Sequence, residues 1–339
     1  MSRPSLPLIY IALPPQLYNE IGFEQFRPRL LEKARVERWN GPGIPSLEAV
    51  QDALQGAEIL VTGWGTPSLV ETLRGWSPES APLRLVAHTA GSVKRLLPYA
   101  ALANGLLVTH ANESLAEAVA EFTLGAILAM RRQMFLAERR FKARQPSPHY
   151  AQFHELKDST VGIIGASAIG RRVMDLLRPW QLRLLVFDPY TSPAVLQAYG
   201  ADQVSLDELF RRSDIVSLHA PDTPETARML GSAQFQAMKD GAVFINTARG
   251  RLVDADALLR ELQTGRISAL LDVTDPDEPL PPDSPFFALE NCVILPHIAG
   301  HSAEGRLRQG QYAAEDILNY LDGKSLRFQV RPERWASMA

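Results

Sequence analysis

The sequence predicts an α/β protein built on parallel sheets. Three observations predict it. Strand-length apolar runs alternate with amphipathic helical stretches along the whole chain, a pattern that places helices on both faces of a parallel sheet. The 339 residues are long enough for about two domains, each with its own core. The alternation also pauses at the loop QPSPHYAQFHELKD and then restarts with greater regularity.

Taken in order, the first-half strands are expected at Leu8–Ala12, Ile59–Thr62, Leu85–His88 and Leu106–Thr109, with a helix opening at Ser46. A long helix is expected from about Glu113 to Ala143. Leu115, Val119, Phe122, Ala126, Met130 and Met134 recur there at three- and four-residue spacing and make one face apolar. Second-half strands are expected at Thr160–Gly165, Leu184–Asp188, Ile215–His219, Val243–Asn246, Ala269–Asp272 and Val293–Leu295. The last long helix spans about Ala303 to Leu321 and stops at Asp322–Gly323, a C-cap.

Composition excludes several function classes. Hydrophobic residues make up 46% and charged residues 22%, with a net charge of −3, so there is no basic excess to bind nucleic acid. No apolar run is long enough to span a membrane, and the N-terminal apolar stretch is broken by prolines and reads as a buried strand rather than a signal peptide. The single cysteine, Cys292, cannot form an intramolecular disulfide and fits a cytoplasmic protein.

The segment TVGIIGASAIGRRVMDLL reads as strand, tight turn and helix. In a dinucleotide-binding turn the first glycine makes the bend, the second admits the pyrophosphate, and the third lets the helix approach the strand. Gly165 and Gly170 fill the first and third places and Ser167 stands in the second, with Ala168 and Ile169 opening the helix. A serine there adds a Cβ near the phosphates and also a hydroxyl able to donate to them. Asp188 ends the next strand where an acid binds the ribose hydroxyls, which favours NAD over NADP because a carboxylate repels a 2′-phosphate. His219, followed by Ala220–Pro221, ends a further strand at a place suited to cofactor contact.

Three polar residues follow strand ends in the second half: Arg249 in INTARGRLVD, after Thr247 and Ala248; Glu278 beyond LLDVTDPD; and His297 in VILPHIAGHS, ahead of Gly300. Ligands in open α/β sheets sit at that carboxyl edge. Reduction of a 2-keto acid calls for these types: a histidine to protonate the carbonyl oxygen, a carboxylate to fix its tautomer and stabilise imidazolium, and a guanidinium fork for the substrate carboxylate. His219 and His301, the latter placed at the start of the last helix, compete with His297 for the acid role.

These segments, with AHTAGSVK, NGLLVTHA, SLAEAVAEFTLGAIL and SDIVSLHAPDTPET, resemble from about Leu60 to Leu321 the D-isomer-specific 2-hydroxyacid dehydrogenases, the family of glycerate, glyoxylate/hydroxypyruvate, D-lactate, phosphoglycerate and formate dehydrogenases. The resemblance implies an NAD-dependent enzyme with Arg249 on the substrate carboxylate, His297 as acid/base, Glu278 as its partner, and Asp272 near the nicotinamide carboxamide. It also implies that the Thr89–Ala90–Gly91–Ser92 segment closes on the substrate. It implies two Rossmann-like or flavodoxin-like domains: a coenzyme domain over residues 111–299, inserted into a discontinuous substrate domain of residues 1–110 and 300–339, with the active site in the cleft. The helix from Glu113 resembles the one these enzymes use in homodimers.

The chain departs from the family pattern at Ser167, around VTDPDEPL (where Asp277 stands in for Glu278 if the register shifts) and in the substrate loop, which reads SVKRLL. Lys94 and Arg95 there suit a phosphorylated substrate as an alternative. The short stretch after the final helix leads to the expectation of no regulatory domain of the kind many phosphoglycerate dehydrogenases carry. A rival reading on the same fold is an NAD(H)-sensing binding protein of the corepressor type.

Overall fold

A computed structural model describes residues 6–335. The chain divides into two compact units. One comprises the residues up to Leu115 together with those from His301 onward; the other is Ala116–Gly300. The outermost residues of the expected substrate domain, 1–5 and 336–339, lie outside the described residues.

The first unit holds a five-stranded, all-parallel sheet of β1 (Leu8–Ile11), β2 (Arg35–Arg38), β3 (Ile59–Thr62), β4 (Leu85–His88) and β5 (Leu107–Thr109), in the order β2-β1-β3-β4-β5. Side chains alternate across it with the period of two that a pleated strand imposes. Ile9, Ile11, Ile59, Val61, Leu85 and Ala87 enter one core with Ala313, Ala314 and Ile317 of the helix Ala303–Leu321. Leu60, Val86 and Val108 enter the other, with Val50, Leu69 and Trp76. That helix has the expected bounds. Ser302 caps its first turn by accepting the Gly305 N–H at 2.9 Å, and Gly323 follows its end with φ 67°, where a left-handed residue closes a helix. His301 precedes the cap and is exposed; it is not a helical residue, contrary to the expectation from sequence.

The second unit holds a seven-stranded parallel sheet of β6 (Thr160–Ile164), β7 (Arg183–Phe187), β8 (Ala201–Gln203), β9 (Ile215–Leu218), β10 (Val243–Asn246), β11 (Ser268–Leu271) and β12 (Cys292–Ile294), in the order β12-β11-β10-β9-β6-β7-β8. The chain adds strands outward from β6 in one direction through β7 and β8 and in the other from β9 onward, so the loops after β6 and β9 flank a topological switch point, the usual crevice for a ligand. Val161, Ile163, Val243 and Ile245 face the core that contains Ile127, Val173 and Met174. Phe244, with no exposed surface, faces the opposite core among Phe210, Phe235 and Leu258. Burying one such aromatic ring contributes about 1.5–3 kcal/mol.

The expected strands are all present, with ends differing by about one residue. Two strands are additional: β2 and β8, both polar and both at sheet edges. The long helix is a correction. It runs Asn112–Arg131, then breaks at Gln133, which takes φ 51°, and a second helix follows at Met134–Lys142. Met134 therefore does not continue the buried face; it is 59% exposed.

Candidate active site

In the second unit, Gly165 leaves β6 with φ 94°. A Cβ there would come within 2.7 Å of the Ala220 backbone nitrogen, so only glycine makes this bend. A Cβ on Gly170 would lie 2.1 Å from the Gly165 carbonyl oxygen, so the helix Ala168–Leu177 meets the strand only because that side chain is absent. Ser167 sits between them on extended backbone (φ −65°, ψ −179°), a conformation any residue adopts. Its hydroxyl accepts the Gly170 N–H at 3.3 Å, capping the helix, and donates to the His219 carbonyl at 3.0 Å. That proton is therefore engaged inside the protein rather than offered to a phosphate.

Asp188 joins this turn directly. One carboxylate oxygen accepts the Ala166 N–H at 2.7 Å; the other accepts those of Tyr190 and Thr191 at 2.8 and 2.9 Å. The two glycines, the helix start and the acid thus form one connected cradle, the arrangement that a dinucleotide's pyrophosphate and ribose require.

His219 is buried. Its Nε2 is 2.8 Å from Ser217 Oγ, its Nδ1 is buried without a partner, and burial pushes its pKa down to about 3. An imidazole held neutral in this way is a poor proton donor. Pro221 turns the chain beyond it, its carbonyl accepting the Thr226 hydroxyl at 2.7 Å.

The three chemistry-bearing residues sit on loops braced by backbone bonds. Asn246, the last residue of β10, holds the next turn from both ends of its amide: Nδ2 donates to the Arg249 carbonyl at 2.9 Å, and Oδ1 accepts the Ala248 N–H at 3.0 Å. Thr247 and Ala248 are buried, and the Thr247 hydroxyl lies 3.2 Å from that of Thr123. A Cβ on Gly250 would fall 2.1 Å from the Thr274 carbonyl, so the Arg249–Gly250 turn presses against the loop leading to Glu278. That loop is closed by Thr274 Oγ1, which donates to the Asp277 carbonyl at 2.6 Å.

His297 follows β12 with φ 57°, and its Nδ1 pairs with Glu278 Oε1. Both side chains stay partly accessible, at 46% and 39%. Behind them, buried Asp272 accepts the N–H of Ile298 at 2.8 Å and that of Ala299 at 2.9 Å, holding the turn that carries His297. Gly300 closes this unit. The structure thus pairs Glu278, not Asp277, with the histidine. The bracing by Asn246, Gly250 and Asp272 goes beyond what the sequence predicts, although an Asn at a strand end before a turn is a signal for it.

In the first unit, the Thr89–Ser92 segment follows β4. Thr89 is fully buried; its N–H and hydroxyl both donate to the Thr62 carbonyl, at 2.7 and 3.0 Å. The Ala90 carbonyl accepts the Ala111 N–H at 2.9 Å, and a Cβ on Gly91 would lie 2.9 Å from Asn112 Oδ1. Beyond it Lys94 is half-buried and Arg95 exposed. Among the described residues, no cluster of histidine, cysteine or acidic side chains is arranged to hold a metal ion, and no helix is long and apolar enough to cross a membrane.

The family model for the NAD-binding domain of D-isomer specific 2-hydroxyacid dehydrogenases matches residues 124–299. The chain is 31% identical over 302 residues to a glyoxylate reductase of Korarchaeum cryptofilum, covering 87% of this chain and 89% of that protein. It is 33% identical over 298 residues to a glyoxylate reductase of Aeropyrum pernix, covering 85% and 87%. The crystal structure of a protein from Thermus thermophilus, 30% identical, superposes with a TM-score of 0.75 over 95% of this chain and 99% of that one. These relatives do not favour the corepressor-type reading. By these matches the chain belongs to the D-isomer specific 2-hydroxyacid dehydrogenase family and is an NAD-dependent enzyme of that family.

Proposed function

We propose that the enzyme interconverts a small 2-keto acid and its D-2-hydroxy acid, with His297 as acid/base, Glu278 as its orienting partner and Arg249 as the carboxylate ligand. The observation that supports this most is the Glu278–His297 pair on a turn held by Asp272. With Nδ1 directed at Glu278, the histidine leaves Nε2 for the substrate oxygen. In reduction Nε2 gives its proton to the carbonyl oxygen at C2; in oxidation it takes the proton from the hydroxyl. Glu278 stabilises the imidazolium form in either direction. The Arg249 guanidinium grips the carboxylate with two parallel N–H donors. The Gly165–Gly170 turn and Asp188 would hold the NADH, which would supply the hydride to C2. Ala168, Ile169, Pro221, Thr247, Ala248, Asp272 and Gly300 complete the proposed cofactor surroundings.

Thr89, Ala90 and Gly91 are proposed to close on the substrate through their backbone, which makes the unit carrying them the substrate domain and Ala116–Gly300 the coenzyme domain. A homodimer is also proposed. Met134, Phe135 and Phe141, 59%, 37% and 84% exposed on the helix Met134–Lys142, offer it an apolar surface. NADH oxidation with glyoxylate, hydroxypyruvate, pyruvate, longer and aromatic keto acids and phosphohydroxypyruvate tests the reaction. NADH binding with no turnover of any keto acid would refute it.

A further inference from the structure

The amino ends of β6, β9 and β10 form the edge of the seven-stranded sheet opposite to the one that carries the Gly165–Gly170 turn. A cavity of about 360 Å³ opens at that edge, wholly within the second unit. Arg131 lines it together with the loop that leads into β6, including His154, Lys157 and Asp158. Arg131 ends the helix Asn112–Arg131, and its carbonyl accepts the His154 N–H at 3.0 Å, which ties the loop to the helix end.

The arginine side chain is buried without adequate partners. The residue is 8% exposed. Its Nη2 donates to Ser159 Oγ at 3.3 Å, and its Nε is buried with no acceptor among the described residues. Enclosing a guanidinium is costly unless its N–H groups are met, and one long bond to a neutral hydroxyl does not meet that demand. Burial accordingly holds the Arg131 pKa below the usual arginine value, against the opposing charge of Asp214.

The acids nearby are committed elsewhere. Asp214 Oδ2 accepts the Thr160 N–H at 2.8 Å, and its Oδ1 pairs with Lys239 at 2.9 Å. Asp240 pairs with Arg266 at 2.9 Å. The guanidinium is thus left as the unmatched charge of the cavity, and a planar pair of carboxylate oxygens suits its fork. Glu155 and Asp158, both exposed, border the same cavity beside Lys157. Two such carboxylates disfavour a doubly charged anion, whereas an ammonium group on the ligand would meet them.

We propose that this cavity is a ligand site in its own right, which takes the carboxylate of a small monocarboxylic or amino acid on Arg131. It is independent of the reaction proposed above, since none of its residues belongs to the dinucleotide cradle or to the Glu278–His297 pair.

The test is calorimetric titration with acetate, glycine and inorganic phosphate at constant ionic strength. The proteins are the wild type, Arg249→Ala, Arg131→Met and Lys157→Glu, with the fold of each checked by circular dichroism. Arg249→Ala removes the arginine proposed to hold the substrate carboxylate. Acetate or glycine should bind the wild type and Arg249→Ala alike, with a Kd below about 10 mM. Binding should weaken at least about tenfold in Arg131→Met, as loss of a charge-assisted hydrogen bond predicts, and acetate should bind about threefold more weakly to Lys157→Glu. Hydrogen exchange on the wild type keeps the test open if Arg131→Met does not fold: the acid that binds should slow exchange at residues 154–159. No binding of either acid to Arg249→Ala overturns the proposal. So does undiminished binding to a folded Arg131→Met, tighter binding of phosphate than of both acids, or binding that leaves exchange at residues 154–159 unchanged.

Discussion

Asp272 and Ala299 are joined by a 2.9 Å hydrogen bond from the Ala299 N–H to the buried carboxylate, whose other oxygen takes the Ile298 N–H. A carboxylate with two backbone donors fixes a turn more firmly than a neutral amide, because both oxygens are acceptors and carry charge. The turn it fixes is the one that bears His297 in a left-handed conformation. Asp272→Asn would direct an NH2 group at one of the two N–H donors. The expected result is a fall in kcat of about 10-fold or more. Since Asp272 acts through the histidine, Asp272→Asn added to His297→Gln should cost little further. Additive losses in that double-mutant cycle would show that Asp272 does not act by positioning His297.

The pair itself predicts a graded set of losses. His297→Gln should lower kcat by about 10²–10⁴-fold, the usual range for general acid–base catalysis, with NADH binding little changed. Glu278→Gln should lower kcat less, because the tautomer remains supported but the imidazolium loses its countercharge. Arg249→Ala should raise KM for the keto acid strongly, and Arg249→Lys should not restore it, since one ammonium cannot reproduce two parallel donors. If His297→Gln keeps near-normal turnover while His219→Gln or His301→Gln abolishes it, the acid has been misassigned.

Ser167 makes a different kind of prediction. Its φ is ordinary and its hydroxyl bridges the helix start to the loop after β9, so glycine there relieves no strain and removes two bonds. Ser167→Gly should change the Kd for NADH by less than about threefold. Ser167→Ala should lower stability by about 1 kcal/mol, as loss of an N-cap does. A Ser167→Gly enzyme that binds NADH an order of magnitude more tightly would show that the serine Cβ obstructs the pyrophosphate after all.

The parts of the fold legible in the sequence are those where burial dictates composition. Strands β3, β4, β9 and β10 are buried at every position and read as largely apolar runs, with a buried serine inside β9. Strands β2 and β8 carry RVER and ADQ; as edge strands they need no apolar run and left no pattern to read. The break at Gln133 has neither glycine nor proline to announce it. At the site, Gly165, Gly170 and Asp188 were readable because each residue type is demanded by backbone geometry or charge. The Asp272 clamp was not readable as such, because its partners are backbone N–H groups, which every residue but proline carries.

Buried histidines lower stability in acid, and His110 is held down by burial in the same direction. Burial pushes His219 from 6.5 to about 3, and His88, buried with Nδ1 3.0 Å from Thr62 Oγ1 and with His110 nearby, also to about 3. Both pKa values are lower in the folded than in the unfolded chain, so unfolding takes up protons below pH 6.5. Their stabilising effect is full above that pH and is lost as pH falls toward 3. Each histidine should add a slope of about 1.4 kcal/mol per pH unit within the window. Urea unfolding between pH 5 and 7 measures it, a range in which ordinary carboxylates stay largely ionised. His219→Gln should make the slope shallower, and an unchanged slope in that variant would show that His219 is not neutral in the fold.

Asp188 makes the cofactor prediction. Its carboxylate already takes three backbone N–H groups around the Gly165–Gly170 turn, which fixes its position as well as its charge. A ribose with two free hydroxyls can donate to it; a 2′-phosphate would place like charge against a carboxylate that three backbone N–H groups hold in place. No basic residue follows in Pro189, Tyr190 or Thr191 to offset that repulsion. NADH should therefore give a kcat/KM at least about 10² times that of NADPH, the ratio that about 2.7 kcal/mol of differential binding produces. Asp188→Ala should narrow the ratio from both sides, weakening NADH through the lost ribose contact and improving NADPH through the lost charge. It should also lower the Tm, since the N–H groups of Ala166, Tyr190 and Thr191 lose their acceptor together. Equal or better kcat/KM with NADPH in the wild type would mean that the carboxylate does not face the ribose.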